Sequence, residues 1–157
     1  ELPASLKWGQ SKDALVNTLG TLVPVKSNQG YDFFKVNNIE GSPLGMENHM
    51  IALDKIHGLS GISMMQYFDA AQFSSSLSQY ELLKAEYSQI YGNPVAVNEF
   101  INNNNSPFSC LMDTECGEFY VLYGSSDTNI VVKLLGMDDA HGAIQIFYSA
   151  IERNNSM

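Results

Sequence analysis

The sequence predicts an α+β fold: two tandem units, each one helix followed by a three- or four-stranded antiparallel meander, spanning 1–72 and 73–157. Three observations carry this. The predicted elements run helix, three strands, helix, three strands. The connections between strands are short, which favours antiparallel pairing because parallel strands need long crossovers. The stretch KDALVNTLGTLVPV (12–25) is partly echoed by KAEYSQIYGNPVAV (84–97). At this offset Lys12 falls on Lys84, Gly20 on Gly92, Val23 on Val95 and Val25 on Val97, and the element order repeats with it. At 157 residues the chain suits one compact domain or two small units sharing a core.

The first helix is expected from Ser11 to Leu19. Ser11 can accept a bond from a free amide of the first turn. Leu15, Val16 and Leu19 share one face, and Gly20 supplies the stop. Trp8 is expected to pack over the helix start. The second helix is clearer. Phe73, Leu77, Tyr80, Leu83, Tyr87, Ile90 and Tyr91 recur at helical spacing, which makes an apolar stripe facing a core. Ser76 with Gln79, or Ser78 with Glu81, would form a capping box. Gly92 ends the helix and Pro94 prevents its resumption.

Strands are expected at 31–36, 49–56 and 61–68, and again at 117–123, 130–135 and 142–151. In the last, Ile144, Ile146 and Tyr148 point one way and Gln145, Phe147 and Ser149 the other. Turn formers separate them, including Gly58 to Gly61, Ser125 to Asp127 and Asp138 to Gly142. Four successive asparagines in INNNNSPF (101–108) resist regular structure, because their side chains compete for the backbone. With the cysteine segment that follows, an extended protrusion from about Val97 to Glu118 is expected. Asn104 and Asn154 open glycosylation-type triplets, which matter only in a eukaryotic secretory host.

The composition is globular, with 45% hydrophobic and 16% charged residues. No apolar run approaches the ~18 residues needed to span a bilayer. Net charge is −9 with only eight Lys and Arg, none clustered, so phosphate backbones and anionic membranes are poor partners. A basic protein would be attracted over long range; the plainer reading is that acidity keeps the protein soluble. The chain begins at Glu1, which fits signal-peptide removal and a trimmed chain equally well. Cys110 and Cys116 suit a disulfide closing a small loop in an oxidising compartment; the alternative is a pair of free thiols.

No catalytic, cofactor or phosphate-cradling motif is present. His49, His57 and His141 lie beside turns or strand starts. Asp138, Asp139 and His141 form DDAH, which reads as a solvated turn before it reads as a metal site. No catalytic, cofactor-binding or metal-ligating residue and no cofactor is assigned. The aromatics are more informative. Tyr31, Tyr67, Tyr120, Tyr123 and Tyr148 lie on strands whose opposite face is also apolar. If helices cover one sheet face, the other would show Tyr, Met and Ser to solvent, and Tyr is a favoured interface anchor.

The opening Trp8-Gly9-Gln10-Ser11 to Leu19-Gly20, followed by strands and a second helix ending Tyr91-Gly92-Asn93-Pro94, resembles small extracytoplasmic bacterial proteins. In outline it is similar to the beta-lactamase inhibitory protein group and related envelope lipoproteins, which are tandem helix-plus-sheet units. This chain departs from them in having a single short cysteine pair and no lipid-attachment cysteine at its start. The resemblance implies a non-catalytic, protein-binding role. The expected function is therefore a secreted or periplasmic inhibitor or immunity protein that grips a basic toxin or hydrolase. Asp113, Glu115 and Glu118 around the cysteine loop, with Tyr120 and Tyr123, are the candidate partner-binding residues. The alternatives are a structural or assembly component of the cell envelope and an enzyme of unfamiliar type.

Overall fold

The computed structural model describes residues 2–151; the Asn154 triplet lies outside them. Eight strands form one antiparallel sheet, accompanied by three helices. A single 3-10 turn (Pro3–Ser5) precedes α1 (Lys12–Leu19). Then come β1 (Val23–Ser27), β2 (Tyr31–Val36), β3 (Asn48–Asp54) and β4 (Gly58–Asp69). A second 3-10 turn (Ala70–Gln72) leads into α2 (Phe73–Tyr91). The chain continues through β5 (Ala96–Ile101), the one-turn helix α3 (Pro107–Cys110), β6 (Gly117–Gly124), β7 (Thr128–Gly136) and β8 (His141–Ala150). The strand order is β1-β2-β3-β4-β8-β7-β6-β5, so β1 and β5 are the two edges.

Both long helices stop where glycine was expected to stop them. Gly20 and Gly92 take φ of 81° and 82°, which a side chain disfavours, and each donates its N–H back to the helix. At the start of α1, Ser11 accepts from the Ala14 amide at 3.2 Å. The α2 cap differs from expectation. Asp69 and Gln72 form a capping box on the preceding 3-10 turn, seven residues before Ser76, and α2 runs on from Phe73 without a side-chain cap of its own. Ser76 lies inside the helix, buried, with its hydroxyl donating to the Phe73 carbonyl.

Two strands were missed, β1 and β5. Both follow directly from the Val-rich exits after the helices and form sheet edges. Pro24 and a register shift between Pro24 and Lys26 interrupt β1, which is tolerated only at an edge. Gly58 to Gly61 is likewise not a turn but the start of β4, and the turn itself is at 55–57. The glycine at 58 admits the N-terminal segment: a Cβ there would sit 2.5 Å from the Gly9 carbonyl oxygen. Gly9 donates to the Leu59 carbonyl, and Leu59 donates to that of Gln10. The Trp8 indole N–H reaches Thr128 Oγ1 on β7 at 2.8 Å, tying the N-terminal segment to the second half of the chain.

One face of the sheet carries the core. A single register row reads Phe34, Ile51, Ile62, Tyr148, Ile130 and Tyr123 across six strands, and all six are buried. From α2, Tyr80, Leu83 and Tyr87 descend on it; α1 contributes Leu15, while Val16 and Ile90 remain exposed. The Tyr87 and Tyr148 hydroxyls meet at 2.6 Å. Tyr123 donates to the Lys84 carbonyl at 2.8 Å and shares a hydrogen bond with Ser88. The buried hydroxyls of Tyr87, Tyr123 and Tyr148 thus keep partners, whereas that of Tyr80 is left without a hydrogen bond among the described residues. At the edge, Lys84 pairs with Glu99 of β5 at 2.8 Å, and that contact raises the lysine pKa.

Candidate functional site

The other face of the sheet is where the candidate site lies. Successive strand residues point to opposite faces, so each buried row is flanked by rows that face away from the helices. One such row is Lys35, Met50, Ser63, Phe147, Val131 and Leu122. A second is Asn48, Met65, Gln145, Lys133, Tyr120 and Asn98. Phe33, Ala52, Gly61, Ser149 and Asn129 make a third. Most of these side chains are half-buried, and Phe147 and Tyr67 are 36% and 38% exposed. Neighbours hold one another in place on this face. Asn48 donates to the Tyr67 hydroxyl at 2.9 Å, Gln145 to Ser63 at 3.1 Å, and Asn98 to Glu118 at 2.7 Å. The surface is thus aromatic and methionine-bearing, with few charges and pre-ordered polar groups.

The structure separates the expected site residues. Glu118 and Tyr120 both lie on the open face, two residues apart on β6. Tyr123 does not: it is fully buried under α2, because an odd step along the strand turns it to the core. It therefore leaves the set of contact residues. Tyr148 is buried in the same way, whereas Tyr31 and Tyr67 join Tyr120 on the open side. Asp113 and Glu115 are exposed in the loop after α3. Asp113 is occupied there in shaping the turn, with its Oδ1 accepting from the Glu115 amide and its carbonyl from Cys116 and Gly117.

Cys110 and Cys116 form a disulfide, with a sulfur–sulfur distance of 2.04 Å. The expected protrusion over 97–118 is largely absent. Its first part is β5, paired along its whole length to β6, and its middle is α3, whose Phe108 is buried. Only the segments beside the asparagines and within the disulfide loop stay irregular. Closing so short a loop restricts the unfolded chain modestly, by about 2 kcal/mol. Replacing both cysteines with alanine is expected to lower unfolding stability by roughly that amount in urea titrations. An unchanged midpoint would show that the bridge does not stabilise the fold.

The histidines are accounted for locally. His49 is buried beside Ser42, burial lowers its pKa, and its Nδ1 is left without a hydrogen-bond partner among the described residues. Asp54 accepts from the Ile56 and His57 amides and faces the His57 ring at 3.3 Å; those bonds lower its pKa. Asp138 does the same at the DDAH turn, accepting from the Ala140 amide and the His141 ring. Both carboxylates cap turns at the surface. Among the described residues no group of three or more His, Cys, Asp or Glu side chains is placed to hold a metal ion. Among the described residues no helix is long and apolar enough to cross a membrane.

At one end of the sheet lies a cleft of ≈ 1480 Å³. It is framed by the N-terminal segment around Trp8, the β3–β4 turn with Asp54 and His57, and the β6–β7 turn with Asp127. Its floor includes Phe33, Ala52, Gly61 and Phe147 of the open face. No family model, curated protein or solved structure matches the chain. The residues that sequence reasoning missed are Phe33, Met50, Met65, Val131 and Phe147. The signal was present in strands such as YDFFKV and GISMMQYF, where both alternating sets are apolar.

Proposed function

We propose that the protein is a non-catalytic protein-binding module of the inhibitor or immunity type, whose open sheet face receives a basic partner, a toxin or hydrolase met outside the cytoplasm. The observation that carries this is one sheet face bearing Phe33, Met50, Met65, Tyr67, Tyr120 and Phe147 half-exposed, opposite a face covered by α2. Eight strands about 4.8 Å apart and about eight residues long give a face of roughly 900 Å², comparable with the ~800 Å² that each partner contributes to a standard interface. Aromatic and Met side chains held by neighbours cost little ordering on binding, and Tyr is enriched among anchors. The −9 net charge favours a basic partner and speeds its encounter. The disulfide supports an oxidising compartment, secreted or periplasmic. The tandem-unit reading, 1–72 and 73–157, gains support from one long helix preceding four strands in each half and from the mirrored strand order about β4 and β8.

Charge placed in the middle of the face tests the reading. Met65→Glu and Val131→Glu are expected to weaken partner capture from native envelope extract at least about 30-fold, with unfolding midpoints near wild type. Retained capture by both variants would remove the open face as the docking surface. Inhibition of a captured hydrolase separates an inhibitor from an envelope structural component, which would bind without changing activity.

A further inference from the structure

The cleft floor explains itself only in part. A Cβ on Gly61 would lie 3.2 Å from the Ala52 Cβ and 3.5 Å from Phe147 Cζ. Phe147 therefore leans over Gly61, in space that glycine leaves open, and its outer side remains exposed. Phe33, across Ala52, shows what such a ring accepts here. Lys26 Nζ sits over it, 4.9 Å from the ring centroid, and Lys12 sits over Phe34 at 5.2 Å. Among the described residues no cation lies over Phe147. The same cleft is bordered by Asp54 and Asp127, each spending Oδ1 on its own turn, and by Lys7 and His57.

We propose that this cleft receives an arginine side chain of the partner protein, its guanidinium stacked on the exposed face of Phe147 and its charge facing Asp54 and Asp127. The proposal rests on the protein-binding reading above and names the chemistry the partner must bring. Arginine fits better than lysine because a planar, weakly hydrated cation stacks on a ring and still presents donors to carboxylates. The acidic net charge of the protein favours such a partner, and an acidic one would be repelled.

The probe is the peptide acetyl-Gly-Ser-Arg-Ser-Gly-amide, with citrulline in place of arginine as the uncharged isostere. Both are titrated at millimolar concentration into the full chain. Binding is followed by the Phe147 ring signals in NMR and by fluorescence of Trp8, the only tryptophan, which lines the cleft. The arginine peptide is expected to shift the Phe147 signals, and the citrulline peptide to bind at least tenfold more weakly. Phe147→Leu, which keeps apolar bulk without the ring, is expected to lose about fivefold in affinity. Phe147→Met serves if that variant does not fold. Absence of binding, equal binding of the two peptides, or wild-type affinity in the ring-less variant would each overturn the proposal. Partner capture that survives Phe147→Leu but is lost in Met65→Glu would overturn this socket while leaving the docking face standing.

Discussion

Gly142→Ala is expected to destabilise the protein by about 3 kcal/mol, as much as deleting the Phe108 side chain. The reason is a slot in the β7–β8 hairpin. Gly136 and Gly142 face each other across it, and Phe108 of α3 fills the space they leave. A Cβ at Gly142 would lie 2.1 Å from two Phe108 ring carbons, and one at Gly136 1.8 Å from the Phe108 carbonyl oxygen. The ring has no alternative berth, since it is buried and packs edge-on against Phe73 at 5.3 Å. Phe108→Ala should cost roughly 3 to 5 kcal/mol through lost burial and the cavity left behind. The two changes should not add: with the ring gone, the methyl at 142 occupies part of the cavity, so the double variant should resemble Phe108→Ala alone. Urea unfolding of the three variants checks this. A Gly142→Ala penalty below about 0.5 kcal/mol would show that the hairpin yields and that the slot does not anchor α3.

Alkaline unfolding is the second large effect. Burial pushes the Tyr87 phenol up to about 12, with smaller and opposing effects from its neighbours. Tyr148 and Tyr80 are also raised, chiefly by burial. A phenol whose folded pKa exceeds its unfolded value near ~10 holds its proton more tightly when folded. Its contribution is therefore fully present below pH ~10 and is lost as pH rises from there through the folded pKa. For Tyr87 alone, a phenol held at about 12 when folded and ~10 when unfolded corresponds to roughly 2 to 3 kcal/mol lost between those two pH values. Lys84, its pKa raised mainly by the hydrogen bond to Glu99, loses its contribution in the same direction. Stability measured by urea unfolding should be flat between pH 7 and 9 as far as these groups are concerned, then fall steeply above pH ~10. Tyr87→Phe should be less stable at neutral pH by about 1 kcal/mol, because its hydrogen bond to the Tyr148 hydroxyl is lost, and should show a shallower alkaline fall. An identical alkaline slope in that variant would mean that Tyr87 does not contribute to it.

These two predictions sit at opposite ends of α2, and together they explain why the open face is free to be a surface. The tyrosines Tyr87, Tyr123 and Tyr148 and the Phe73–Phe108 pair concentrate the apolar packing on the helix side. The sheet then needs nothing on its far side for cohesion. The rows through Met50, Met65 and Phe147 are left to present side chains outward.

Much of this was legible from local signals. Glycine at 20 and 92, proline at 94 and the apolar stripe of α2 define the helices through backbone sterics and period, which act within a few residues. Alternation in GAIQIFYSAI correctly placed Ile144, Ile146 and Tyr148 together. Short cysteine spacing pointed to the bridge that the structure contains. The misses share a different cause. VPVKS and AVNEFI lack clean alternation because an edge strand is not buried on both sides of its backbone. The glycines at 58 and 142 read as turn residues, yet these two and Gly136 are small because another part of the chain passes close by. The expected protrusion failed because nothing local tells that Phe108 has a slot waiting in a hairpin some thirty residues on.

What the sequence determined by itself was the two longer helices, six of the eight strands in their order, the acidic balance and a cysteine spacing that permits the covalent loop. Those follow from rules that operate between near neighbours. Only the tertiary structure decided which face of each strand meets α2, because in strands that are apolar on both sides alternation splits residues into two sets without naming the inner one. That choice buries Tyr123, leaves Tyr120, three residues before it, half-exposed, and turns the Phe147 side of β8 outward. The deciding quantity is the register of eight strands against one helix, a long-range sum of packing that no short segment contains.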